Sequence, residues 1–174
     1  IRRQRQMCIR DSEYTDLQVQ LFDAAIIQFS TFNAGAVETE GFEADLLWYT
    51  DIPGLTLRGQ FAWTDATNTG DFITPGGENL KGSKRSYSPE IAGSFGLSYD
   101  SGLSNGWRYN ISTDARYSDE YGWGTYIDSP MQDSFWINDV ALSLYSEDGK
   151  HSFNLIGRNL GDEIVIITGC LLYT

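Results

Sequence analysis

The sequence predicts an all-β chain folded as an antiparallel up-and-down meander of about seven strands. Short stretches alternate apolar and polar residues at period two, which marks strands with two chemically different faces. Almost no helical period separates them, and several joints are rich in Gly, Pro, Asn and Asp, the residues of tight turns.

The first stretch, "YTDLQVQL", sets Leu17, Val19 and Leu21 against Asp16, Gln18 and Gln20. A second runs from about Ile26 to Tyr49, is interrupted at "NAG", and ends with Phe42, Ala44, Leu46 and Trp48 opposed to Glu43 and Asp45. In the third, Leu55, Leu57, Gly59, Phe61 and Trp63 oppose Thr56, Arg58, Gln60 and Ala62; in the fourth, Ile91, Phe95, Leu97 and Tyr99 oppose Ala92, Ser94, Gly96 and Ser98. The fifth, "WRYNISTDARY", alternates Trp107, Tyr109, Ile111, Thr113, Ala115 and Tyr117 with Arg108, Asn110, Ser112, Asp114 and Arg116. Val140, Leu142 and Leu144 give the sixth its apolar face, and "HSFNLIGRN" supplies the seventh, with Ile156 out of pattern.

Connection lengths bear on which face meets water. "DIPG", "SGLSNG" and "EDGK" are tight turns, while 64–90 and 118–134 are long polar loops, so short and long joints alternate; "FDAA" is a short joint on the long-loop side and breaks the rule. Outer-membrane barrels have this layout, whereas connections in a Greek-key sandwich need not sort by end. Aromatics on the apolar face also gather at strand ends: Trp48, Tyr99 and Trp107 by the short turns, Trp63, Tyr117 and Trp136 by the long loops. Two aromatic belts around an aliphatic band fit two bilayer interfaces. Turning the fifth strand over would put Arg108, Asp114 and Arg116 into hydrocarbon, where an Arg near mid-depth costs about 2–4 kcal/mol. The expectation is a partial transmembrane β-barrel with Arg58, Arg108, Asp114 and Arg116 on the wet side. The alternative is a soluble β-sandwich that binds carbohydrate.

The chain ends read differently. "IRRQRQMCIRDS" and "CLLYT" back-translate, with permissible codons, into sequence resembling the two senses of a transposon adapter used in sequencing libraries. Residues 1–12 and 170–174 are therefore expected to be adapter-derived scars irrelevant to the fold, with 13–169 the barrel segment of a longer protein. Both cysteines, Cys8 and Cys170, fall in the scars, so no disulfide, thiol nucleophile or cysteine metal site is expected. Net charge is −12, and the N-terminal scar holds Arg2, Arg3, Arg5 and Arg10 against Asp11, so the remainder is more acidic still. Such a balance argues against nucleic acid as a partner. No apolar run is long enough for a membrane helix, but spanning strands need only about 9–11 residues.

"NAGAVETEGFEADLLWYTDIPGLTLRGQFAWTDAT", "SYSPEIAGSFGLSYD" and "GRNLGDE" together resemble the barrel of TonB-dependent outer-membrane receptors, through an Asn-Ala-Gly kink, a Gly-x-Glu strand, a Pro-Gly turn and a Gly-x-Asn-Leu-x-Asp segment. The resemblance covers nearly all of Glu13 to Glu163. It implies part of a large plugged barrel in the outer membrane of a Gram-negative bacterium, with outer-membrane lipid and, through a plug domain, the TonB complex as partners. The implied cargo is a scarce bulky nutrient: a ferric siderophore, cobalamin or a glycan.

No catalytic site, cofactor or metal site is expected. His151, the only histidine, sits by a turn with no nucleophile beside it. Glu43 and Asp45 share one strand face and are expected to be lumen or plug contacts rather than an acid/base pair. "DATNTGD" lacks calcium-loop spacing. Tyr121, Trp123 and Tyr126, flanked by Gly122 and Gly124, are the candidate ligand-binding rings, since aromatics on a polar hairpin can stack on flat or glycosidic ligands.

Overall fold

In the computed structural model, residues 2–23, 26–124 and 130–166 are described, and among them every regular element is a strand. In chain order these are β1 (Arg2–Tyr14), β2 (Gln18–Asp23), β3 (Gln28–Asn33), β4 (Val37–Tyr49), β5 (Leu55–Asn68), β6 (Ile91–Gly102), β7 (Arg108–Ser118), β8 (Tyr121–Gly122), β9 (Met131–Gln132), β10 (Phe135–Tyr145) and β11 (Ser152–Gly157). Seven form one antiparallel sheet in the order β1-β4-β5-β6-β7-β10-β11, while β2-β3 and β8-β9 are separate two-stranded sheets.

Registry confirms the two faces. Leu57 pairs with Leu97, Leu97 with Thr113 and Thr113 with Val140, so these four share a face; Arg58, Gly96, Asp114 and Asp139 form the adjacent row on the other. The apolar face carries exposed Phe42, Leu46, Phe61, Phe95, Ile111, Val140 and Leu155. At the long-loop end Phe42 packs on Phe61 and Trp63, with ring centroids 5.5 and 6.1 Å apart, and Tyr117 packs on Trp136 at 5.0 Å. At the tight-turn end Tyr99 meets Tyr109 at 6.1 Å. Tyr109 and Tyr117 thus bound the apolar face of β7 with roughly 27 Å of strand between them, comparable to the apolar band of about 25 Å on membrane barrels.

The expected antiparallel meander is present: β4, β5, β6, β7, β10 and β11 pair in chain order, and β2 pairs with β3. What differs is the start, where β2-β3 stands off the main sheet and β1 takes the place beside β4. This removes the anomaly of the short "FDAA" joint, whose Phe22 and Asp23 belong to β2, so that it is not a connection in the main sheet. The expected strand Tyr14–Leu21 is correspondingly divided between the end of β1 and β2.

Residues 2–12, expected to lie outside the fold, are paired along β4 from Arg2↔Tyr49 to Tyr14↔Val37. A sheet edge offers free N–H and C=O groups to any chain, and the side chains of this strand suit the faces they join only in part: Met7 and Ile9 lie opposite Ala44 and Phe42 on the apolar face, and Arg10 meets Glu43 on the other. Arg5 lies opposite Leu46 on the apolar face, and Asp11 and Glu13 lie opposite Glu40 and Glu38, where like charges repel. Residues 170–174, including Cys170, lie outside the described residues.

The buried apolar cluster sits at the long-loop end, made of Leu21, Ala34, Phe72 and Leu80 with Leu17, Val19 and Phe32 against it. The Asn-Ala-Gly stretch is its joint. The Asn33 side chain donates to Asp16 (2.9 Å) and accepts from the Gly35 N–H (2.9 Å), Ala34 is fully buried, and Gly35 takes φ +70° with no room for a side chain beside the Asp71 carbonyl. Loop 69–90 is fastened down by Thr69 and Gly70 N–H groups on the Ala36 carbonyl and by Lys84, which bridges Asp65 (3.0 Å) and Glu90 (2.7 Å).

Titration should loosen this loop from both sides. Hydrogen bonds from Asn79 and then Lys81 hold the Asp71 carboxyl below its ordinary 3.8, so its contribution is complete above that value and is lost as pH falls through the depressed one. Glu90 and then Asp65 hold Lys84 above 10.5, so its contribution is complete below 10.5 and is lost as pH rises past the raised value. A fluorophore on Ile73→Cys should rotate faster at a pH well below 3.8 than at neutral pH; equal anisotropy at both would contradict this.

Candidate functional site

The polar face is built by period two alone. Even positions of β5 and β7 and odd positions of β4 and β10 point the same way, which brings together five predicted residues: Asp45, Arg58, Asp114, Arg116 and, nearer the tight turns, Arg108. Glu43 shares the face and pairs with Arg10 at 3.4 Å. Asp45, Arg58, Gln60, Ser94, Asp114 and Arg116, together with residues 4–6 of β1, line a concavity of about 820 Å³.

Across this face runs a ladder of charge-assisted bonds. Arg58 donates to Asp114 at 3.1 Å, Arg116 reaches Asp114 (3.6 Å) and Asp139 (2.7 Å), and Asp139 also accepts from the Asn159 N–H at 2.8 Å. Arg108 bonds Asp100 separately. These pairs are half-exposed, and each is worth about 0–1 kcal/mol. Their geometric effect is larger, because each cation is held by a carboxylate of the same sheet.

Gly96 explains how Arg58 reaches Asp114, since β6 lies between them. A Cβ at Gly96 would lie 2.8 Å from the Arg58 Cγ, so the missing side chain is the space through which Arg58 crosses β6. Gly96→Val should therefore displace Arg58 and cost about 1–3 kcal/mol, while the same change in an Arg58→Ala background should cost little. An additive double-mutant cycle in urea unfolding would contradict the crossing.

Asn159, in the "GRNLGDE" segment, takes φ +48° and closes a ring with Glu163, donating to its carbonyl (2.9 Å) and accepting from its N–H (3.0 Å). Sequence reading missed Asp139, Gly96, Asp100 and Asn159 as members of this constellation. A glycine inside an alternating strand is the one local signal that pointed to a close approach.

The candidate rings occupy the long-loop end. Tyr121, expected on a free hairpin, is half-buried: it packs on Tyr87 of loop 69–90 at 6.2 Å, and its hydroxyl donates to the Ile166 carbonyl at 3.3 Å. Trp123 is half-buried, and its enclosed indole N–H has no acceptor among the described residues. Tyr126 lies outside the described residues. His151 is exposed and part of the 146–151 turn, its N–H donating to the Ser146 hydroxyl at 2.9 Å.

An uncovered apolar face bounded by two aromatic rows, backed by a polar face of paired charges, with tight turns at one end and long loops at the other, is the wall of a transmembrane β-barrel. The chain belongs to the family described as "TonB dependent receptor-like, beta-barrel", which it matches over residues 11–160. A search of curated proteins gave no match. Receptors of this family reside in the outer membrane of Gram-negative bacteria, bind small-molecule ligands and work with TonB.

Proposed function

We propose that residues 13–169 form part of the barrel wall of an outer-membrane receptor that takes up a scarce bulky nutrient, such as a ferric siderophore, in a TonB-dependent manner. The wall is non-catalytic: it holds lipid on its Leu57, Ile111 side and water on its Arg58, Asp114 side. The observation that carries this reading is the pairing of an aromatic-bounded apolar face with a polar face whose Arg and Asp side chains are bonded to one another. Without residues 1–12 the open sheet has its edges at β4 and β11, and a closed barrel requires further strands on both. Residues 1–12 are foreign to the wall on this reading, because Arg5 would otherwise face lipid beside Leu46.

The test uses the complete receptor in outer-membrane vesicles. Cysteines at Arg58 and Asp114 should react with small water-soluble maleimides, and cysteines at Leu57 and Ile111 should not. The reverse pattern would overturn the barrel orientation. Uptake of iron-loaded hydroxamate siderophore and of cobalamin, each with and without TonB, would then identify the cargo class; TonB-independent accumulation would contradict active transport. Tyr121 and Trp123, with Tyr126, are proposed to contact the ligand, and Trp123→Ala should weaken binding up to roughly tenfold by loss of about 0.5–1.5 kcal/mol of stacking.

A further inference from the structure

Loop 69–90 and the β8-β9 hairpin meet through a small set of contacts. The Ser86 hydroxyl donates to the Gly124 carbonyl, the Tyr87 N–H donates to the Gly122 carbonyl at 2.8 Å, and the Tyr87 ring packs on Tyr121. One feature opposes this arrangement. Tyr87 sits at φ +58°, a left-handed conformation that a bulky L-residue avoids. Pro89 lies two residues beyond Tyr87, and Glu90 anchors the loop to Lys84 and, through its carbonyl, to the Thr64 N–H (2.9 Å). The strain is therefore confined between a fixed loop base and the hairpin.

We propose that Ser86–Tyr87 and β8 form a releasable latch between the two long surface loops, closed in this structure and held near balance by its own strain. Separating the loops breaks two hydrogen bonds and one ring contact. In return it lets Tyr87 relax to negative φ. Gains and losses of similar size make a two-state element rather than a rigid rim. The latch rests on the receptor reading only for its consequence, which is that opening would uncover Tyr121 toward an incoming ligand.

The experiment reads the latch without any ligand. In the complete receptor in outer-membrane vesicles, spin labels on Lys81→Cys and Glu120→Cys report the distance between the loops by pulsed dipolar spectroscopy. A major short and a minor long distance are expected in the parent. Ser86→Ala and Tyr121→Ala should each raise the long population about fivefold, the equivalent of one net hydrogen bond or ring contact of about 1 kcal/mol. A single distance in the parent that persists on warming, or an unchanged distribution in both variants, would overturn the proposal. Transport plays no part in this readout, so failure of the latch and failure of the receptor reading are separately visible: the first shows in the distances, the second in maleimide labelling of the wall.

Discussion

Val140→Arg is expected to lower barrel stability by about 2–4 kcal/mol. Val140 is exposed, lies on the apolar face in the row with Thr113, Leu97 and Leu57, and stands between Trp136 and Leu144 on the same face of β10. An arginine there can reach water only by bending toward an interface, and its neighbours Leu142 and Leu155 offer no counter-charge. Ser112→Arg, on the polar face of β7 beside Ala141 and Ser98, should cost less than about 1 kcal/mol, within the usual range for a tolerated surface change. Urea unfolding of the complete receptor in lipid vesicles measures both. Equal costs would mean that the two faces see the same solvent.

Gly54→Val should be comparably severe, at about 2–4 kcal/mol, for a different reason. Gly54 closes the tight turn between β4 and β5 at φ +83°, and a Cβ there would lie 3.0 Å from the Asp100 carbonyl carbon, a backbone atom that cannot swing aside. The turn is tied by the Leu55 N–H on the Ile52 carbonyl and linked to β6 by the Asp100 N–H on the Gly54 carbonyl. Gly149→Val provides the comparison: its φ is +68° and nothing lies within 4 Å of the added Cβ. It should pay the left-handed strain alone, about 1–2 kcal/mol. A Gly149 variant as damaging as the Gly54 variant would show that contact with β6 contributes nothing.

What could be read from the sequence follows from what period two encodes. It states which residues share a face, so Leu57 and Ile111 fall together and Arg58 and Asp114 fall together without any knowledge of partners. It does not state what lies against a strand. "LQVQL" was legible as alternating, but the groups that bury Leu21, Phe72 and Leu80, come from far along the chain, so its departure into a separate hairpin was not. The pairing of residues 2–14 was illegible for the opposite reason, since it is a backbone pairing that their side chains support only in part, with Met7 and Ile9 on the apolar face beside a misplaced Arg5. Among the site residues, charges on the polar face were visible because they break an otherwise simple alternation. The Arg58–Asp114 bond was not, because it depends on the absence of a side chain at Gly96 and on the register of three strands. Tyr87 carried no pattern at all; its left-handed backbone is imposed by the contacts it makes with β8.

The alternation of tight turns and long loops also sets an order of assembly. β4 with β5, β6 with β7 and β10 with β11 are each joined by a tight turn, so each pair closes from contacts near in sequence and can form early. Joining one pair to the next requires closing loop 69–90 or 119–134, a step whose entropic cost grows only logarithmically, by about 0.6 kcal/mol for each doubling of length. The hairpins are then the quanta of folding, and the surface loops can lengthen or shorten at little kinetic expense. A wall organised in this way can acquire a new exterior specificity without relearning how to fold.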